Sequence, residues 1–255
     1  MAKKETQKTV QTTNPLCKKP VLLNSQNHQG LKFLPCTTYK HAEKMGSALL
    51  LGHEFMMVAK EYPIVFVKDA TGHWDSVAML SLKSDTNLFV GQNGEWLGQY
   101  VPAIFRRYPF ILSQAEGQED FSVCFDEDSG CFSEKEGNAL FTSKGENTDT
   151  LNNIMQFLND FQMNYESTQK FIAKLHELEL LKDIQGTFTV KDGEKFTLTG
   201  MWVIDEPKLA ELDEKTVSEL FKSGMLAWMQ FHVMSLSNLG PLADRFAQSQ
   251  GLKVA

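Results

Sequence analysis

Two arginines, Arg106 and Arg107, stand side by side in the run GQYVPAIFRRYPF at residues 98–110, where nearly every other side chain is apolar or aromatic. A solvated face would carry more polar neighbours, and a plain core strand would carry no guanidinium. A guanidinium held among apolar groups needs an opposite charge, because an unpaired buried charge costs several kcal/mol. One way to meet that need is internal, with Glu54, Glu61 or Asp126 as the partner. The other is an anion pocket. The planar guanidinium fork takes a carboxylate or phosphate in two parallel hydrogen bonds. Trp96, Tyr100, Tyr108 and Tyr62 would supply apolar walls and hydroxyl donors for it, the usual make-up of a ligand cleft. Arginine, tyrosine and tryptophan also concentrate where a protein partner docks. On a helix or tight turn after Pro102, adjacent residues point about 100° apart. One arginine then faces inward and the other reaches solvent or a cleft.

The same grouping admits a catalytic reading, in which Glu54 or Glu61 is a general base and an arginine orients the substrate. Its mark would be a carboxylate of raised pKa in a cleft. The familiar catalytic signatures are missing from the sequence. It has no phosphate loop, no dinucleotide-binding glycine turn, no nucleophile elbow and no paired-histidine zinc motif. DEDSG at Asp126 opens like a calcium loop, but Gly130 falls on a ligand position and Gly137 where a bidentate glutamate belongs, so an acidic surface turn is expected. Cys124 and Cys131 lack the spacing and partners of a zinc site. The six histidines are scattered, and His232, on an apolar helix, reads as a core histidine with one hydrogen-bond partner. No metal and no cofactor are expected. The residues favour a non-catalytic protein that binds a small anionic ligand, a peptide or a protein partner over an enzyme with a dispersed site.

The chain has 255 residues, 42% of them hydrophobic and 22% charged, enough for a substantial core. The net charge of -7 argues against nucleic acid and anionic lipid as partners, since both need clustered lysine and arginine. The lysines near the start are followed by no apolar stretch, and no window approaches the ~20 apolar residues of a membrane span. A cytoplasmic protein is the expectation, with Cys17, Cys36, Cys124 and Cys131 as reduced thiols.

Helices and strands do not alternate strictly, which predicts an α+β fold. Its mixed or antiparallel sheet has hairpins and packs against several helices. Phe55, Val58, Ala59 and Tyr62 share a helical face that Pro63 ends. PIVFVKD, VAMLSL and FSVCFDED read as strands. Asn93-Gly94 and Asp192-Gly193 mark hairpins, the first through a type I′ turn. Residues 148–183 keep a helical period through Leu151, Ile154, Leu158, Phe161 and Tyr165, long enough to expect a bent or broken helix. Asp213 and Gly224 bracket a later helix. Residues 1–30 read as a loose arm, 31–247 as one domain with a candidate inner boundary at the polar stretch 133–148, and 248–255 as a tail.

The segments HEFMMVAKEYPIVF, NLFVGQNGEWLGQYVPAIFRRYPF, DEDSGCF and MWVIDEPKLAEL, in this order, resemble the SapC family of bacterial proteins. The resemblance runs from about residue 30 to 246. It implies service to a surface-layer, cell-envelope or nutrient-uptake process, and it carries over no catalytic residues. The peptide-transporter permease that shares the name is a different protein, a membrane-spanning one.

Overall fold

The computed structural model describes residues 16–114, 121–189 and 195–251. From the N-terminal side the elements are β1 (Pro20–Leu22), α1 (Ser25–His28), β2 (Lys32–Phe33), β3 (Ser47–Leu49), α2 (Phe55–Val58), β4 (Ile64–Lys68), β5 (Trp74–Met79) and α3 (Ala103–Arg106). There follow β6 (Phe110–Gln114), β7 (Phe121–Asp126), β8 (Phe132–Ser133), β9 (Asn138–Ala139), α4 (Asp149–Glu177), β10 (Leu181–Thr189) and β11 (Lys195–Ile204). Four helices close the sequence of elements: α5 (Glu206–Ala210), α6 (Glu214–Lys222), α7 (Met225–Ser235) and α8 (Leu239–Ser249). The fold is α+β, and every strand pairing among the described residues is antiparallel. The chain forms two compact units. Unit 1 is Met1–Thr37 with Arg107–Asp160, and unit 2 is Thr38–Arg106 with Phe161–Ala255. The divide falls between the two arginines.

Unit 1 holds the sheets β1-β7-β6 and β8-β2-β9. Its core gathers Phe110, Phe125, Leu140, Phe141, Leu151 and Leu158. Phe33 packs edge-on against Phe110 at 5.0 Å, and Phe125 against Phe132 at 4.6 Å, the geometry that ring quadrupoles prefer. Part of the expected loose arm is ordered. Pro20–Leu22 pairs with β7, and the Asn24 side chain caps α1. Residues 1–15 lie outside the described residues. The expectation of four reduced thiols fails at Cys36 and Cys131, which form a disulfide with Cα atoms 5.7 Å apart. Pairing of Phe33 with Phe132, and the Leu34 amide on the Cys131 carbonyl at 2.9 Å, bring the two together. The bond closes a loop across a separation of 95 residues. Chain entropy alone makes that worth about 4–5 kcal/mol.

Unit 2 is built on the sheet β10-β11-β4-β5-β3. The β4 run Ile64, Val65, Phe66 is buried at consecutive positions, so both faces of the strand are covered, as its unbroken apolar sequence requires. Helix α7 terminates two strands with side chains: the Ile204 amide donates to His232 Nε2 (3.1 Å) and the Ile64 amide to Ser235 Oγ (2.9 Å). His232 is thus a core histidine with one ring partner. The long helix α4 is continuous, neither broken nor as long as its periodicity suggested. Residues 149–160 count with unit 1 and the rest with unit 2. It stops because Glu179 takes a left-handed backbone (φ 52°), after which the chain enters β10. The β10–β11 hairpin pairs as far as Thr189 and Lys195, and its Asp192-Gly193 turn lies outside the described residues. At Asn93-Gly94 the hairpin has a three-residue loop in place of the expected two-residue turn. The Gly91 amide meets the Glu95 carbonyl, the Gly94 amide meets the Gly91 carbonyl, and Gly94 sits at φ 85°. Asp213 caps α6, and Gly224, at φ 78°, separates it from α7. Among the described residues, no helix is long and apolar enough to cross a membrane.

Candidate functional site

Glu54 organises the arginine segment of unit 2. It sits in a single 3-10 turn, Gly52–Glu54, directly before α2. A side chain at Gly52 would run into the Trp228 indole, so the turn packs tightly under α7. The Glu54 side chain has no exposure to solvent. Its Oε2 accepts from the Leu51 amide at 3.0 Å, which caps its own turn. Its Oε1 accepts from the Tyr100 hydroxyl at 2.8 Å and from the Ala103 amide at 2.7 Å, where α3 begins. Arg106 Nη2 lies 3.9 Å from the same oxygen.

Arg106 is on the outer side of this arrangement. Its Nε donates to the Val101 carbonyl (3.0 Å) and its Nη2 to the Tyr100 hydroxyl (3.2 Å). The guanidinium carbon is 5.6 Å from the centre of the Tyr100 ring, within cation–π range. The side chain is 41% exposed. Burial, with the Glu54 charge next, pushes the Tyr100 hydroxyl up to about 12, and Arg106 pulls the other way. Tyr100 therefore stays a donor to Glu54 while it accepts from Arg106. A buried carboxylate, a phenol and a half-exposed guanidinium form one chain of hydrogen bonds, which fixes the arginine's position from beneath.

A second knot lies beside it. The buried Tyr62 hydroxyl donates to the Tyr100 carbonyl (2.8 Å) and accepts from Trp96 Nε1 (3.1 Å), which also reaches that carbonyl (3.0 Å). Burial is the main force raising the Tyr62 pKa, and Glu61 adds to it. Glu61 Oε2 accepts from the Gln99 amide at 2.7 Å. Trp96 is wedged between Tyr39 and Phe105, with ring centres 5.6 and 5.5 Å away. Gly98 makes this folding-back possible. A Cβ there would collide with the Tyr62 hydroxyl and press on Glu61 Oε2 and Trp96 Nε1. Gly98→Ala is accordingly expected to lower stability by about 1–3 kcal/mol through overpacking. A lower urea midpoint with a weakened Trp96 fluorescence signature would record it.

Arg107 and Tyr108 belong to unit 1. Burial lowers the Arg107 pKa to about 10, with the Cys17 sulfur acting in the opposite sense. The Tyr108 hydroxyl donates to Asp126 Oδ2 at 3.0 Å. Asp126 is fully buried and also accepts from the backbone amides of Lys18, Lys19 and Asp128. The expected acidic surface turn is correct for Glu127 and Asp128 and wrong for Asp126, whose carboxylate ties the entry to β1 onto the end of β7. The sequence-derived set is thus divided. Tyr62, Trp96, Tyr100 and Arg106 come together with Glu54 and Glu61, whereas Arg107 and Tyr108 belong to the other unit, where the Tyr108 hydroxyl serves Asp126. Of three candidate partners for the arginines, Glu54 is the one beside Arg106. Residue types did not reveal the roles of Gly98, the Ala103 amide and the Val101 carbonyl, because two of these are backbone groups and the third has no side chain. Pro102, which sets the entry to α3, was the available cue.

No curated protein and no solved structure matches the chain. A family pattern does, over residues 23–242, which takes in both units and the whole Glu54–Arg106 arrangement. With nearly its full length covered by that pattern, the chain belongs to the SapC family.

Proposed function

We propose that this SapC protein is a non-catalytic binding protein that takes a carboxylate or phosphate group, on a small ligand or a peptide, at the outer side of Arg106. The observation that carries the reading is the half-exposed guanidinium held from below by Glu54 through Tyr100. Such preorganisation lowers the ordering cost of binding, and a fixed arginine matches a planar anion better than a flexible lysine does. The Tyr100 ring supplies an apolar flank. The surface-layer role from which the family takes its name supports reading this binding as part of a cell-envelope or uptake process.

Catalysis by Glu54 has less support. Its oxygens hold three donors and its side chain is enclosed, so it is out of reach of a substrate. Glu61 has one oxygen committed to the Gln99 amide. A thermal-shift screen with small mono- and dicarboxylates, phosphate esters and short peptides tests the binding reading. At least one class is expected to stabilise the wild type, and Arg106→Lys, which keeps the charge and loses the fork, should weaken that ligand tenfold or more. Failure of every class to stabilise the wild type, or equal affinity in Arg106→Lys, overturns it.

A further inference from the structure

All four cysteines of the chain lie in unit 1, and unit 2 has none. Two of them form the Cys36–Cys131 disulfide. The other two, Cys17 and Cys124, are buried thiols that share one apolar cluster with Ile111. Strand pairing explains how they meet. Cys124 sits in β7, opposite Leu22 of β1 on one side and Ile111 of β6 on the other. Asp126, two residues further along β7, grips the amides of Lys18 and Lys19 and so holds the segment before β1 against the same strand. Cys17 immediately precedes that grip and so reaches the cluster that holds Cys124.

We propose that Cys17 and Cys124 are a second disulfide-forming pair of unit 1, whose bond fastens the segment leading into β1 onto β7. In the reaction each thiol gives up its proton and one S–S bond forms. The two electrons pass to a small-molecule disulfide, whose own S–S bond breaks to give two thiols. A setting that oxidises Cys36 and Cys131 supplies the same oxidant to this pair. Burial pushes the Cys17 thiol up to about 12 and raises Cys124 as well, so the reactive thiolate is scarce once unit 1 is packed. The bond therefore closes during folding, while the segment is open, and the packed core afterwards shields it from reductants.

The test is refolding of the full chain, reduced and denatured, in a mixture of reduced and oxidised glutathione. Unreacted thiols are then alkylated in denaturant and the peptides mapped by mass spectrometry. The expected map has no alkylated cysteine and two linked peptide pairs, Cys17 with Cys124 and Cys36 with Cys131. A Cys36→Ser/Cys131→Ser double variant is expected to retain the Cys17–Cys124 link. Alkylation of Cys17 and Cys124 beside an intact Cys36–Cys131 bond overturns the proposal. So does a glutathione adduct on either residue, or either one linked to Cys36 or Cys131. Should the double variant fail to fold, the wild-type map decides alone.

Discussion

Glu54→Ala is expected to lower the stability of unit 2 by about 3–5 kcal/mol, the range for breaking a buried, hydrogen-bonded charge cluster from one side. The change strips an acceptor from the Leu51 amide, the Ala103 amide and the Tyr100 hydroxyl together. Each orphaned buried donor costs about 1–3 kcal/mol. The three losses overlap, because Tyr100 can turn towards Arg106 and the chain before α3 can relax, so their simple sum exceeds the expected effect. Arg106 adds little to the total. Its 3.9 Å approach and 41% exposure place it near the regime of surface ion pairs, worth up to about 1 kcal/mol. Arg106→Ala should therefore be mild, and a double-mutant cycle between the two should return a coupling of about 1 kcal/mol or less. Glu54→Gln should fall between, since one oxygen is kept and an amide N–H₂ replaces the other, facing a donor. Urea midpoints at pH 7 measure all three. If Glu54→Ala costs no more than Arg106→Ala, the carboxylate is not the keystone of this arrangement.

That ordering bears on function. If the cluster stabilises through Glu54 and leaves Arg106 energetically light, substitutions at Arg106 are clean probes of binding, because the fold survives them. An inward arginine would have given the opposite result, with folding and binding inseparable. The energetic asymmetry follows from geometry alone: backbone amides bind the carboxylate from inside, and the guanidinium touches it from the rim.

Parts of this arrangement were legible in the residues. β4 and the buried part of β5 announce themselves because a strand covered on both faces needs a continuous apolar run, as in PIVFVKD and VAMLSL, whereas β7 is marked by the alternating apolar positions of FSVCFDED. The Arg106 partner was among the carboxylates that the sequence nominated. Choosing it required knowing that the Gly52–Glu54 turn and the start of α3 meet, and no local periodicity encodes that. The parting of Arg106 from Arg107 was also invisible. Adjacent side chains are known to diverge on a turn, but no local pattern marks that one arginine closes a segment of unit 2 and the next opens a segment of unit 1. LELLKD continues a helical pattern past the end of α4, while the left-handed Glu179 and the pairing of Leu181 with Ile204 impose a strand. Cysteine spacing of 95 residues gave no sign of Cys36–Cys131, since only the register of β2 with β8 brings them together.

Stability of unit 2 is expected to fall as pH drops from about 6.5 towards 3, with His232 responsible for a share of up to about 4 kcal/mol. The ring is wholly buried, 5.0 Å from Phe66, and its Nε2 accepts the Ile204 amide at the end of β11. Nε2 is thus the bare nitrogen, and a proton there would face another N–H. Burial lowers the folded-state pKa to about 3. The unfolded chain takes up its proton near 6.5, so acid favours unfolding through that window. The contribution is fully present above 6.5 and is gone once pH falls through the folded value. Carboxylates titrate over part of the same range, which makes the difference between two proteins the informative quantity. His232→Gln offers an amide oxygen to Ile204 and does not titrate. At pH 8 it should cost about 1–2 kcal/mol through imperfect packing. Between pH 6.5 and 4 its stability should decline less steeply than that of the wild type, so the two curves converge or cross. Parallel curves would mean that the His232 ring becomes protonated without leaving its place between α7 and β11, and that some other group answers the charge.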